Sequence, residues 1–263
     1  MKNQNFLSGN VDGKGRDGAQ SIHRAVAVLR VVAKYNQTGV NLSKITRNVD
    51  LPPSTTHRIL SVLADEGMVC YNQMTKLYNL GIGLYVLGSE ARQYQLRDMY
   101  RDSLERIAQK TMDTAFLVTR LGYDVLCLDR AYGSTRIKVL TFDIGERRPL
   151  GVGAGSLAIL ASLPDDEIQR VIQHNERRYE AFTGFSPEEL KEMINFYRSH
   201  GYAVNSVTPH IISIGVCLHD SHGDQLGALS VSGISSKMDK NRQKEIAALL
   251  QSEISWQGHE KPQ

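Results

Sequence analysis

Residues 41–80 read NLSKITRNVDLPPSTTHRILSVLADEGMVCYNQMTKLYNL, and this stretch decides the fold. Leu42, Ile45 and Val49 recur at i, i+3 and i+7, so a first short helix can bury one face. Asp50-Leu51-Pro52-Pro53 cannot continue it, because proline lacks the amide donor and restricts its predecessor. Pro53 suits the first turn of a second helix and Ser54 its cap. Thr56, Ile59, Leu60 and Leu63 then form an apolar stripe, and Gly67 supplies a C-terminal stop. Val69 to Tyr71 and Leu77 to Leu80 can pair across the polar turn Asn72 to Lys76. Helix, turn, helix and hairpin in that order are the plan of a winged helix-turn-helix.

The polar side of the second helix points to a partner. Ser54, Thr55, His57, Arg58 and Ser61 cluster in its first turns, where a recognition helix meets base edges and phosphates. Short hydroxyl side chains permit close approach, and arginine bridges a guanine edge or neutralises a phosphate. Together with Thr56, and with Arg24 on the preceding helix, they form the expected DNA-contacting set, on a motif spanning residues 42–61. Charge agrees. Residues 1–95 hold eleven Lys or Arg against six Asp or Glu, a net of +5, while residues 96–263 hold twenty against twenty-two, a net of −2. The positive excess lies on the half that carries the motif, as a footprint for double-stranded DNA should.

Outward from the motif, residues 1–18 are polar and glycine-rich, which predicts a disordered arm. A helix follows with Ser21 as cap and Ile22, Ala25, Val26, Leu29, Val32 and Ala33 on its buried side. Together they make residues 19–80 a DNA-binding domain. Beyond the wing, residues 81–95 read as a linker helix with Leu84, Leu87, Ala91 and Tyr94 on one side. The next helix carries Leu96, Met99, Leu104 and Ile107. Residues 96–258 then mix strands and helices. Two strands meet at Gly122-Tyr123-Asp124, a further strand follows from Thr135, and a basic, glycine-rich loop leads into a short helix ending before Pro164. Two amphipathic helices, the second capped by Ser186-Pro187-Glu188-Glu189 and stopped by Gly201, precede three strands and a closing helix. The fold class is α+β, with an antiparallel sheet and helices beside it.

The chain has 263 residues, 41% of them hydrophobic, and no apolar run long enough to span a bilayer. The start lacks the apolar core of a secretory signal, which predicts a cytoplasmic protein. Cys70, Cys127 and Cys217 match no metal spacing and read as buried small residues in a reducing compartment. The rival class is a small-molecule enzyme with an N-terminal interaction module. It would rest on the turn around Gly151, Gly153 and Gly155 and on scattered histidines. The turn, however, lacks the last glycine of a dinucleotide fingerprint, where Ser156 stands, and the lysine of a P-loop. Ser156 is not in a GxSxG elbow. His219, Asp220, His222 and Asp224 fall in an expected turn with no further ligand placed. No catalytic set, metal or cofactor is expected.

The order STTHRILSVLADEG, Tyr78-Asn79-Leu80-Gly81, a linker helix, IGERRPLGVGAGSLAILA, HGYAVN and a closing strand and helix resembles the IclR family of bacterial transcriptional regulators, over residues 21–256. The resemblance implies a winged helix-turn-helix and a GAF-like effector-binding domain joined by a linker helix. It implies a homodimer or dimer of dimers on a pseudo-palindromic operator, most often repressing a catabolic operon. It also implies a small carboxylic or aromatic acid as effector. The effector would sit on the turn at Gly153 and Ala154, whose amides hold an anion at a helix start. Asn205, Ser213, Ser230 and Ser232 would line the strand side, Asn205 and Ser213 standing where carboxylate-binding members place an aspartate and a cysteine.

Overall fold

The computed structural model describes residues 19–89, 92–135, 139 and 141–257. The expected arm, residues 1–18, and the side chains of Ala91 and Tyr94 lie outside the described residues. The chain divides into two compact units, residues 1–91 and 92–263.

In the first unit α1 (Gln20–Lys34), α2 (Leu42–Val49) and α3 (Pro53–Asp65) precede a hairpin of β1 (Val69–Asn72) and β2 (Leu77–Leu80). The core gathers Val28, Val31, Val32, Ile45, Leu60, Leu63, Val69 and Tyr78. Asn41 caps α2, its Oδ1 accepting from the Lys44 amide at 2.9 Å. Asp50 then turns the chain in the left-handed region at φ 51°. Gly67, at φ 68°, does so after α3.

Five expectations shift here. Ser21 lies inside α1, which has no side-chain cap. Ile22, Val26 and Ala33 are exposed, and the buried side keeps Val32 as expected but adds Val28 and Val31, with Ala25 and Leu29 half-buried. Ser54 is the second residue of α3, inside its first turn, rather than its cap, since Pro52 takes that position without a side-chain bond. Cys70 is exposed on the wing, its Sγ near the Leu80 carbonyl at 3.6 Å, while Cys127 and Cys217 are buried as expected. After the wing, α4 (Ile82–Ser89) buries none of its side chains, so Leu87 does not serve a packed stripe.

In the second unit α5 (Arg92–Thr111) leads into β3 (Thr114–Leu121), β4 (Asp124–Tyr132) and β5 (Arg147–Pro149). Then come α6 (Ala154–Ala161), α7 (Asp165–Tyr179), α8 (Pro187–His200), β6 (Ala203–Asn205), β7 (Ile211–His219), β8 (Gln225–Ile234) and α9 (Lys240–Gln257). The sheet order is β5-β4-β3-β8-β7-β6, antiparallel at every pairing. One sheet face packs on α6, α7 and α8 through Phe116, Val118, Leu157, Val171 and Leu190. The other packs on α5 and α9 through Leu104, Ile107, Leu229, Ile246 and Leu250. On α5, Tyr100 takes the buried place expected of Met99, which is exposed. The strand expected from Thr135 does not form among the described residues. The third strand is Arg147–Pro149, inside the stretch read as a loop. Among the described residues no helix is long and apolar enough to cross a membrane.

Candidate functional site

In the first unit α3 separates its two sides. Thr56, Leu60 and Leu63 face the core, whereas Ser54, His57, Arg58 and Ser61 are exposed and Thr55 half-buried. Thr56 therefore leaves the expected contact set. It is 0% exposed, and its hydroxyl donates to the Pro52 carbonyl at 3.1 Å, tying down the first turn. Ser61 donates to the His57 carbonyl at 3.1 Å yet keeps its oxygen accessible. Arg58 has no partner among the described residues, so its guanidinium is available to an incoming anion. Arg24 on α1 is half-buried. Lys44 sits over the Tyr35 ring at 3.8 Å, a cation held close to the start of α2. The wing tip is fixed by Asn72, whose Oδ1 accepts from the amides of Met74 and Thr75 at 2.9 and 3.0 Å.

The second unit encloses a cavity where α6 meets the sheet. Gly153 (φ 97°) precedes the helix without a side-chain cap, so the amides at its start are unspent. The approach is close. A Cβ on Gly215 of β7 would lie 2.4 Å from the Ala154 carbonyl carbon, and one on Gly155 would lie 3.1 Å from Ser230 Oγ. At the other end of α6, Arg198 donates Nε to the Ala161 carbonyl and Nη2 to that of Leu163, both at 3.1 Å. The opposite wall comes from register. Asn205 pairs with Ser213, Ser213 with Ser232, and Ser232 with Thr114, a polar row across four strands on one face.

Gly153, Ala154, Ser213, Ser230 and Ser232 all line the cavity, so five of the six residues expected to hold an effector come together. The Ser213 and Ser232 hydroxyls bond each other at 2.7 Å. Asn205 is the sixth. It stands beside Ser213 without lining the wall, is 7% exposed, and neither side-chain amide atom has a partner among the described residues. A buried carboxamide left so is costly, roughly 1–3 kcal/mol, unless something else bonds it. Sequence reading missed Phe116, Phe142 and Val207, which make the cavity half apolar, and Arg148. The family resemblance placed the serines, with period-two alternation setting Ser230 and Ser232 on one face; nothing in the sequence marked Arg148 as facing inward. The cavity is about 30 Å³, room for about two waters. A wider cleft of about 270 Å³ lies between α5 and β4, but its buried acid Asp129 is already met by Arg97 at 2.9 Å and Arg101 at 3.3 Å. Asp129 also accepts from the Arg130 amide. That cleft leaves no buried acid unmet.

Nucleophilic chemistry finds no support in the two buried cysteines, Cys127 and Cys217. Burial pushes the Cys127 thiol up to about 12, and burial likewise raises that of Cys217. His219 ends β7 and His222 lies on the turn after it, and no group of three metal-binding side chains assembles among the described residues.

Comparison with known proteins bears on both units. The model of the IclR helix-turn-helix domain matches residues 21–73, and that of the bacterial transcriptional regulator IclR C-terminal matches residues 89–255. The chain is 29% identical over 241 residues to the HTH-type transcriptional regulator BhcR of Paracoccus denitrificans, covering 89% of this chain and 85% of that protein. It is 25% identical over 246 residues to the transcriptional repressor IclR of Escherichia coli, covering 88% and 86%. Its fold is similar to that of an IclR homolog from Microbacterium hydrocarbonoxydans solved in complex with 4-hydroxybenzoate. The TM-score is 0.73 at 21% identity, over 90% of this chain and 99% of that one.

Proposed function

The chain belongs to the IclR family of bacterial transcriptional regulators, a DNA-binding, effector-responsive family, and from that premise we propose that it represses a catabolic operon under the control of a small acid. Family membership, rather than any missing catalytic set, decides against the enzyme reading. In this proposal residues 19–80 bind DNA, residues 81–95 form the linker, residues 96–258 hold the effector, and the protein works in the cytoplasm. Ser54, Thr55, His57, Arg58 and Ser61 meet the operator, with Arg24 on a flanking phosphate. Two copies, or two pairs, read a pseudo-palindromic site, because a single copy whose residues 1–95 carry a net charge of only +5 binds weakly alone.

The observation that carries the effector half is the cavity at the start of α6. It offers unspent amides to an anion, a serine pair, and the unpartnered Asn205 behind it. A carboxylate at the helix start, with a hydroxyl or carbonyl toward Ser213 and Asn205, meets each of these groups once the cavity of about 30 Å³ widens to admit it. The 4-hydroxybenzoate held by the Microbacterium protein has that makeup, an acid at one end and a hydroxyl at the other. Aromatic acids are therefore included with small aliphatic ones.

The test is a fluorescence titration of the full chain against DNA from upstream of its own gene, at several salt concentrations and with scrambled competitor. Competitor-resistant binding that weakens steeply with salt, and weakens again when an acid is added, is the expected result. Affinity for the upstream DNA no better than for scrambled DNA, with or without acids, would remove the proposal for that operator.

A further inference from the structure

Among the described residues, Arg148 is the one charged side chain lining the α6 cavity. β5 pairs it beside Val125, on the sheet face that α6 covers. The side chain is only 11% exposed, and its guanidinium lies over the Phe142 ring at 4.4 Å. Its partner is Glu146, in an unequal bond. Nε and Nη2 both donate to one oxygen, Oε1, at 3.1 Å each, while Oε2 accepts from the Asp143 amide at 2.8 Å. A carboxylate facing a guanidinium squarely takes the two N–H groups on two oxygens, the stronger arrangement. Glu146, bound elsewhere by its second oxygen, does not take it.

A buried cation in a ligand cavity, neutralised by an acid that bonds it through one oxygen, defines a competition. We propose that Arg148 is the counter-ion of the effector's carboxylate, and that Glu146 is a built-in competitor which the carboxylate displaces on binding. This rests on the reading of the cavity as an effector site and adds to it the residue that selects by charge. The α6 amides favour an anion through partial charges. Arg148 supplies a full one. Glu146 sets how much of that charge is available, so its removal tightens acid binding while removal of Arg148 loosens it. An effector with a neutral amide in place of the acid has nothing to gain from either change.

The experiment uses the full chain and measures binding by calorimetry for three acids, 4-hydroxybenzoate, lactate and succinate, and for their amides. For an acid that binds the wild type, Arg148→Gln should weaken it by about tenfold or more and Glu146→Gln should tighten it severalfold, opposite in sign. The amides should respond to neither. If Arg148 merely braces the segment that carries Phe142, both substitutions weaken acid and amide alike, and that outcome overturns the proposal. Glu146→Gln keeps an acceptor for the Asp143 amide and leaves Arg148 packed. It therefore decides the matter even if Arg148→Gln fails to fold, and unchanged or weaker acid binding in it is fatal. Silence of the wild type toward all three acids would instead overturn the effector reading itself, a failure visible before any variant is made.

Discussion

Arg58 and Thr56 stand two residues apart on α3 and have opposite fates. Arg58 is exposed and without a partner among the described residues, so Arg58→Ala should leave the melting temperature unchanged. Operator affinity should fall by roughly 1–3 kcal/mol, with specificity relaxed at one base pair if the arginine reads a guanine. A titration against operator and point-mutated operator checks both; equal affinity for wild type and variant would remove Arg58 from the interface. Thr56 had every sequence mark of a neighbouring contact, a short hydroxyl in the first turn, yet it closes the core. Only the phase of the stripe through Leu60 and Leu63 distinguished it, and that phase was legible. Gly215 has no such ambiguity. A methyl group there would lie 2.4 Å from backbone at the start of α6. Gly215→Ala should therefore cost about 1–3 kcal/mol of stability, and effector binding should fall with it. Thermal unfolding with and without acid measures the two losses. A variant as stable as wild type, with effector binding intact, would mean that α6 shifts freely away from β7.

At the scale of elements, the helix-turn-helix was the most readable part because its punctuation is local: two prolines, one glycine and short amphipathic runs. The first helix was placed correctly in outline but its buried side only in part, Val32 holding while Ile22, Val26 and Ala33 are exposed. AVAVLRVVA (residues 25–33) is apolar at nearly every position, so periodicity admits several phases, and packing chose Val28, Val31 and Val32. β5 went unread because a three-residue strand of Arg-Arg-Pro beside a glycine-rich turn looks like loop, and arginine looks like solvent. That is also why Arg148 escaped notice. The layer of α5 and α9 offers a pH test. Burial alone would raise the Glu253 carboxyl, but Arg106 at 2.8 Å and Lys110 at 3.4 Å outweigh it and hold it below its ordinary 4.5. Its stabilising contribution is thus complete above about pH 4.5, where the unfolded chain is also ionised, and is lost as pH falls through the lower folded value. Glu253→Gln should be less stable than wild type at pH 7, and the gap should narrow in acid. Urea unfolding at pH 7 and pH 3 reads it; a constant gap would sink the linkage. Asp113 tilts the other way, since burial pushes it up despite Arg242 at 2.8 Å, so the two acids must be substituted one at a time.

Across the whole molecule, the proposal requires that a ligand in residues 96–258 change the affinity of residues 19–80 for DNA. A ratio of about 100 corresponds to roughly 2.7 kcal/mol of coupling, and by reciprocity operator DNA must change effector affinity by the same factor. The stretch from Gly81 to Tyr94 is the covalent route between the two units. Immobilising it with a cross-link should abolish the effect of acid on operator binding while leaving both bare affinities in place. A cross-linked protein that still responds would place the coupling elsewhere.

The polar row of Asn205, Ser213, Ser232 and Thr114 has one more consequence. Each position belongs to a different strand, and the ladder that aligns them is made by the main chain. The side chains can therefore be exchanged one at a time, or shuffled together, without rewriting the scaffold that presents them. Such an arrangement lends itself to re-specification. A library randomised at positions 205, 213 and 232 and screened with a promoter-driven reporter could yield sensors for new compounds, each inheriting an unaltered output stage.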